Sequence, residues 1–183
     1  AISLELTHSD PAVTILYTLD GSEPKADNVG GVNYTYKNSY PEAPGQSLGP
    51  LLNQSFETLT YDNTPISLKD RSDDANKLAN ISTTWNNEPT YFPNQAVKKA
   101  TVVKARALKN GALSPVVSHT FFISSTNTFQ SNLPVVSISF DENKFFDYNN
   151  GIYVAGKDFD TWRSNNPNTT YFNSGVPANW NNK

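Results

Sequence analysis

The segments whose residue types come nearest to chemistry are two oxygen-rich turns, Asp141-Glu142-Asn143 and Asp147-Tyr148-Asn149-Asn150-Gly151. Acidic and amide side chains ahead of a glycine supply hard oxygen ligands of the kind calcium takes, which makes Asp141, Asp147 and Asn149 candidate metal ligands and calcium the candidate ion. The closing Glu of a helix-flanked calcium loop is missing, and Asp, Asn and Gly are equally the vocabulary of ordinary turns. A second acidic group, Asp70 with Asp73 and Asp74, could work as an acid/base pair only at the separations glycoside hydrolysis demands. Its polar setting between Lys69 and Lys77 reads more simply as a solvated turn.

Aromatic residues form the other candidate site. Tyr34, Tyr36, Tyr40, Trp85, Tyr91 and Phe92 fall in stretches so broken by Gly and Pro that they read as loops. A flat ring exposed on a loop can stack on the apolar face of a sugar, with the Tyr hydroxyl or Trp N–H as a polar edge. Tyr34, Tyr36, Trp85 and Tyr91 are therefore the candidate carbohydrate-binding residues. The competing reading is that these rings plug long loops onto the body of the protein, and the usual burial of aromatic side chains favours it.

Several function classes drop out. The chain has 183 residues, no cysteine and two histidines, His8 and His119. Thiolate metal sites, disulfides, cysteine nucleophiles and multi-histidine metal sites are excluded, and His119, in an expected strand, reads as structural. No serine carries the glycines of a nucleophile elbow, so no catalytic residue is assigned and the chain is not expected to be an enzyme. A net charge of -3 without basic clusters gives no footprint for nucleic acid or an anionic membrane, and no apolar run is long enough for a membrane helix. Asn-X-Ser/Thr triplets such as Asn33-Tyr34-Thr35 are expected by chance in so Asn-rich a chain. Few charges and abundant Asn, Ser, Thr and Tyr resemble the surfaces of exported β-proteins. The start at Ala1 rather than Met reads as an internal fragment.

The elements that must position these residues are strands. Ile2, Leu4 and Leu6 alternate with polar residues, as a half-buried strand requires. Thr14 to Leu19 repeats the pattern and stops at Asp20-Gly21, with Pro24 unable to donate to a ladder. Residues 25–63 leave room only for short strands, Thr64 to Leu68 reads as another, and a helical turn is expected near Asp73–Ala79. The clearest hairpin spans Thr101 to Ile123, turning at Asn110-Gly111, with its register offset around Leu113-Ser114-Pro115. Leu133–Phe140 reads as a buried strand and Ile152–Val154 as a further one. Arg163–Lys183 has little to pack, while Trp162, Tyr171, Phe172 and Trp180 are expected to pack a second domain. Helix is expected to be scarce.

Thr14-Ile15-Leu16-Tyr17-Thr18-Leu19-Asp20-Gly21-Ser22-Glu23-Pro24, with Pro65-Ile66 and then Thr101-Val102-Val103-Lys104-Ala105-Arg106-Ala107 followed by Gly111, Ser114 and Phe122, resembles the chitobiase/β-hexosaminidase C-terminal domain, also called the fibronectin-III-associated domain. The resemblance spans about residues 1–124, and against the compact family pattern the chain carries insertions at about 25–62 and 69–96. Leu133-Pro134-Val135-Val136-Ser137-Ile138, Phe145-Phe146-Asp147 and Gly151-Ile152-Tyr153-Val154 resemble the opening of a CotH-type kinase-like domain, whose nucleotide and metal motifs would lie beyond this chain.

These resemblances imply a mainly β chain, an immunoglobulin-like β-sandwich with long loop insertions over 1–124, followed over 125–183 by a linker and the first segment of a CotH-like domain. They imply a non-catalytic accessory module of a secreted or cell-surface bacterial protein that spaces or docks the CotH-like domain. The expected partners are neighbouring domains of the same polypeptide. Carbohydrate binding through the loop aromatics is the alternative, with polysaccharide as its partner.

Overall fold

A computed structural model describes residues 1–41, 43–76, 93, 95–125, 133–169 and 175–183. The chain forms two compact units, each discontinuous in sequence: 1–32, 55–74 and 96–141 in one, 33–54, 75–95 and 142–183 in the other. Much of what reads as insertion belongs to the same unit as the C-terminal segment.

The first unit is a pair of antiparallel sheets. Strand β1 (Ile2–Leu4) pairs with β6 (Ile66–Leu68), setting Ile2 opposite Leu68 and Leu4 opposite Ile66. The larger sheet centres on β7 (Thr101–Lys109), with β2 (Thr14–Thr18) on one side and β8 (Ala112–Leu113) and β9 (Val117–Phe121) on the other; β5 (Leu59–Thr60) extends it beyond β2. Ile66, Leu68 and Val103 are buried together, with Leu4, Leu6, Tyr17, Leu19, Tyr61, Phe121 and Ile123 around them. Both sheets contribute to this cluster, so they face each other across one apolar interior: a β-sandwich, compatible with an immunoglobulin-like arrangement.

Local chemistry explains the turns. After β2, Asp20 Oδ1 accepts from the Ser22 N–H at 3.0 Å and the Ser22 hydroxyl at 2.6 Å. Gly21 between them has φ +85°, a backbone conformation that residues with a Cβ rarely adopt. Asn110 and Gly111 both have positive φ, as a primed hairpin turn needs. The expected register offset is present. Leu108 faces Leu113, which continued regularly would set Ala105 opposite Val116, yet Ala105 faces Val117. One extra residue is absorbed at Ser114-Pro115, where Arg106 Nε and Nη2 both donate to the Ser114 carbonyl and the Ser114 hydroxyl accepts from the Ala107 N–H.

The second unit contains most of β3 (Val32–Tyr36), which pairs with β4 (Leu52–Phe56), and the helices α1 (Glu142–Phe146), α2 (Gly156–Asn165) and α3 (Asn179–Asn182). Its core is Tyr40, Ala155, Phe159, Val176 and Ala178, with Trp162 packed against it. Three expectations are corrected here. Ile152–Val154 forms a turn, because the N–H groups of Ile152 and Tyr153 donate back to the Lys144 and Phe145 carbonyls instead of to a partner strand. The stretch 163–183 is not bare: Val176, Ala178 and Asn179 are buried. A ten-residue helix, α2, occupies ground where none was expected. In the first unit, Leu133–Phe140 lies outside every named strand and is exposed along its length. The turn observed near the expected Asp73–Ala79 helical turn spans 71–74, Ala75 and Asn76 have no helical assignment, and residues 77–79 lie outside the described residues.

Because Leu68 is almost wholly buried where the sheets meet, Leu68→Ala should lower stability by roughly 2–5 kcal/mol, the cost of an aliphatic cavity. Urea denaturation followed by tyrosine and tryptophan fluorescence measures the loss.

Candidate functional site

The residues proposed from sequence separate. Tyr34 and Tyr36 stand on β3 rather than in a loop and are 3% and 9% exposed. Their rings lie 6.5 Å apart and tilted. Side chains so covered present no face to a sugar, which matches the reading of these rings as a small core. Trp85 and Tyr91 lie outside the described residues, and the carbohydrate reading rests on them.

Asp147 is buried, and its Oδ1 accepts from the N–H groups of Asn149 and Asn150, both at 2.9 Å, and from Asn150 Nδ2 at 3.4 Å. That is the work of an Asp closing a turn on its own backbone. Asn149 is exposed, and Asp141 belongs to the first unit. Among the described residues no three His, Cys, Asp or Glu side chains gather closely enough to hold a metal ion.

The acidic cluster in the first unit is a tether. Asp70 accepts from the Ser72 hydroxyl and N–H and from the N–H and hydroxyl of Ser125, joining the chain after β6 to the chain after β9. The Ser72 hydroxyl first, then the Ser125 N–H, hold its carboxyl far below the usual carboxylate range. Asp74 pairs with Arg71 at 2.8 Å, and Arg71 also donates to the Ala100 carbonyl.

A constellation that sequence reasoning missed lies in the second unit. Lys37, one residue beyond β3, has a side chain only 2% exposed, and its Nζ lies 2.6 Å from Asp160 Oδ2 on α2. Tyr148 donates its hydroxyl to the same oxygen at 2.9 Å. Lys37 Nζ sits 4.8 Å from the ring centroid of Tyr40 and 5.7 Å from that of Tyr148, within reach of a cation–π attraction. The Tyr40 hydroxyl accepts from the Gly156 N–H at 2.9 Å, and Gly156 has φ +66°. A Cβ at Gly156 would fall inside the Asn179 carboxamide, so only glycine allows this approach. Burial drives both tyrosine hydroxyls well above their ordinary pKa, and for Tyr148 the bond it donates to Asp160 adds to the rise. Both hydroxyls stay protonated at any physiological pH.

Backbone bonds surround the group. The Tyr148 N–H donates to the Thr35 carbonyl at 2.7 Å, the Asn179 N–H to the Ala155 carbonyl at 2.8 Å, and Asn179 Nδ2 to the Tyr148 carbonyl at 3.0 Å. The buried positions of α2 are Gly156, Phe159, Asp160 and Arg163, one helical stripe. Charge occupies two of those four places. A search for apolar periodicity passes over such a helix; the usable signal was the i, i+3, i+4, i+7 spacing itself.

The comparisons bear on the sandwich. The family model described as Fn3 associated matches residues 4–121, well over half of the chain. The chain belongs to the Fn3-associated family. That family comprises non-catalytic accessory domains, in keeping with the first unit's strands, turns and tether. No curated protein and no solved structure matches the chain.

The Asp70 tether has a defined pH signature. Its folded-state pKa is depressed, so its contribution to stability is complete above the unfolded value of about 3.9 and is lost as pH falls from there toward the folded value. Asp70→Asn should lower the urea midpoint at pH 7, and the gap to wild type should close as the pH is taken below about 4.

Proposed function

We propose that the chain is an accessory module of an exported multidomain bacterial protein and that it docks a following CotH-like domain. The observation that carries this reading is the segment Leu133–Phe140. Val136 is 79% exposed and Ile138 75%, with Leu133 and Val135 also open to water, all within eight residues. Apolar side chains exposed consecutively along an extended segment mark an interaction surface. The residues concerned, Leu133-Pro134-Val135-Val136-Ser137-Ile138, are those that resemble the opening of a CotH-like domain.

A second feature supports the same reading. The segment after Asp141 is held in its own unit by the inserted residues 33–54, through Lys37 to Asp160, Tyr40 to Gly156 and Thr35 to Tyr148. An insertion in an accessory domain that completes the core beneath the next segment is what presenting a neighbour requires. Export fits a composition with few charges and abundant Asn, Ser, Thr and Tyr. Among the described residues no helix is long and apolar enough to cross a membrane.

The test is binding. A separately purified CotH-like domain from the same polypeptide should bind residues 1–183, and Val136→Lys or Ile138→Lys should each weaken binding by at least about tenfold, the worth of one buried aliphatic side chain. Absence of binding, or binding indifferent to both substitutions, removes the docking role.

A further inference from the structure

The Lys37–Asp160 pair is poorly built as a permanent ion pair. An ammonium has three N–H donors, and among the described residues Lys37 Nζ meets one acceptor, Asp160 Oδ2, and otherwise ring faces. Asp160 Oδ2 takes both donated bonds, from Lys37 and from Tyr148, while Oδ1 is buried and meets no donor. A buried pair repays its desolvation only when its remaining lone pairs and protons are satisfied. The same arrangement is well built for condensation. The nitrogen lies 2.6 Å from Oδ2, which places it within about 4 Å of Cγ, since a C–O bond is about 1.2 Å long.

We propose that Lys37 and Asp160 are a modification site at which the folded chain forms an intramolecular amide, joining Nζ to Cγ. A proton passes from the ammonium to Oδ2 across their hydrogen bond, leaving a free amine beside a carboxylic acid. The amine lone pair attacks Cγ and the C–N bond forms. The Tyr148 hydroxyl, already bonded to Oδ2, gives it a second proton and regains one from the nitrogen as the Cγ–Oδ2 bond breaks. The nitrogen thus gives up two of its three protons, one to Oδ2 and one to Tyr148 in place of the proton that Tyr148 passed on; Oδ2 leaves as one water, the third proton stays on the amide nitrogen, and Oδ1 remains as the carbonyl oxygen. No oxidant, reductant or co-reactant is required. Orientation of this kind is worth effective molarities of about 10⁵–10⁸ M, and the product replaces two buried charges with one neutral amide. The bond would staple the inserted segment to α2 across 123 residues of sequence.

Mass spectrometry decides it. The purified chain, folded at neutral pH and then denatured, should be lighter than its sequence by the mass of one water. Trypsin should fail to cut after Lys37 and should release a branched peptide joining residues 26–69 to 158–163. Lys37→Arg should restore the full mass. In chain newly made by cell-free synthesis, Tyr148→Phe, which leaves both reacting groups in place, should slow the loss of water by roughly a hundredfold. A wild-type chain of full mass that is cut after Lys37 overturns the proposal; a Tyr148→Phe chain that condenses at the wild-type rate overturns the role given to Tyr148.

Discussion

A positive charge with no water around it governs the second unit. Lys37 is buried to the end of its side chain, and a lone ammonium in such a place costs several kcal/mol. The fold answers with a carboxylate from a helix far along the chain and with two aromatic faces. Every other feature of the unit is arranged to allow that meeting. Gly156 lets α2 begin tight against Asn179, Tyr40 seats the first N–H of the helix, and Tyr148 donates to the same carboxylate oxygen as Lys37. The apolar core of Tyr40, Phe159, Ala155, Val176 and Ala178 then closes beside the pair and keeps water from it.

The sandwich obeys a different logic. Its strands are specified locally, by period-two alternation and by turns whose residues have one conformational purpose, Asp20-Gly21 and Asn110-Gly111. These segments lie within the match to the Fn3-associated family, a family of non-catalytic accessory domains. What this chain adds includes residues 33–54, whose Thr35, Lys37 and Tyr40 bond to the C-terminal segment within the second unit.

The difference explains what could be read from the residues alone. The β2 strand, its turn and the hairpin from Thr101 to Ile123 were legible down to the one-residue bulge at Ser114-Pro115, because each depends on neighbours in sequence. The second unit was not, because its partners lie far apart: Lys37 in one segment, Asp160 in another, Asn179 in a third. Charged residues on the inward stripe of α2 erased the apolar period that would have marked a helix. The Leu133–Phe140 run misled in the opposite sense. Its composition is that of a buried strand, but burial needs a covering partner, and composition carries no information about where that partner is. Tyr34 and Tyr36 are buried on a strand within a stretch whose Gly and Pro content reads as loop. The Asp147 carboxylate closes its turn with the same oxygen-rich residue types that cation binding draws on.

The central claim is that residues 33–54 and 142–183 fold as one body around the buried Lys37–Asp160 pair. Native-state hydrogen exchange tests it residue by residue. The N–H groups of Tyr148, Gly156 and Asn179, bonded to Thr35, Tyr40 and Ala155, should be protected together, with a common opening free energy that falls for all three when Lys37 is replaced by Met. If these amides exchange at the rate of an unfolded peptide while those of Thr101–Lys109 stay protected, the C-terminal segment is not part of a folded unit and the account fails.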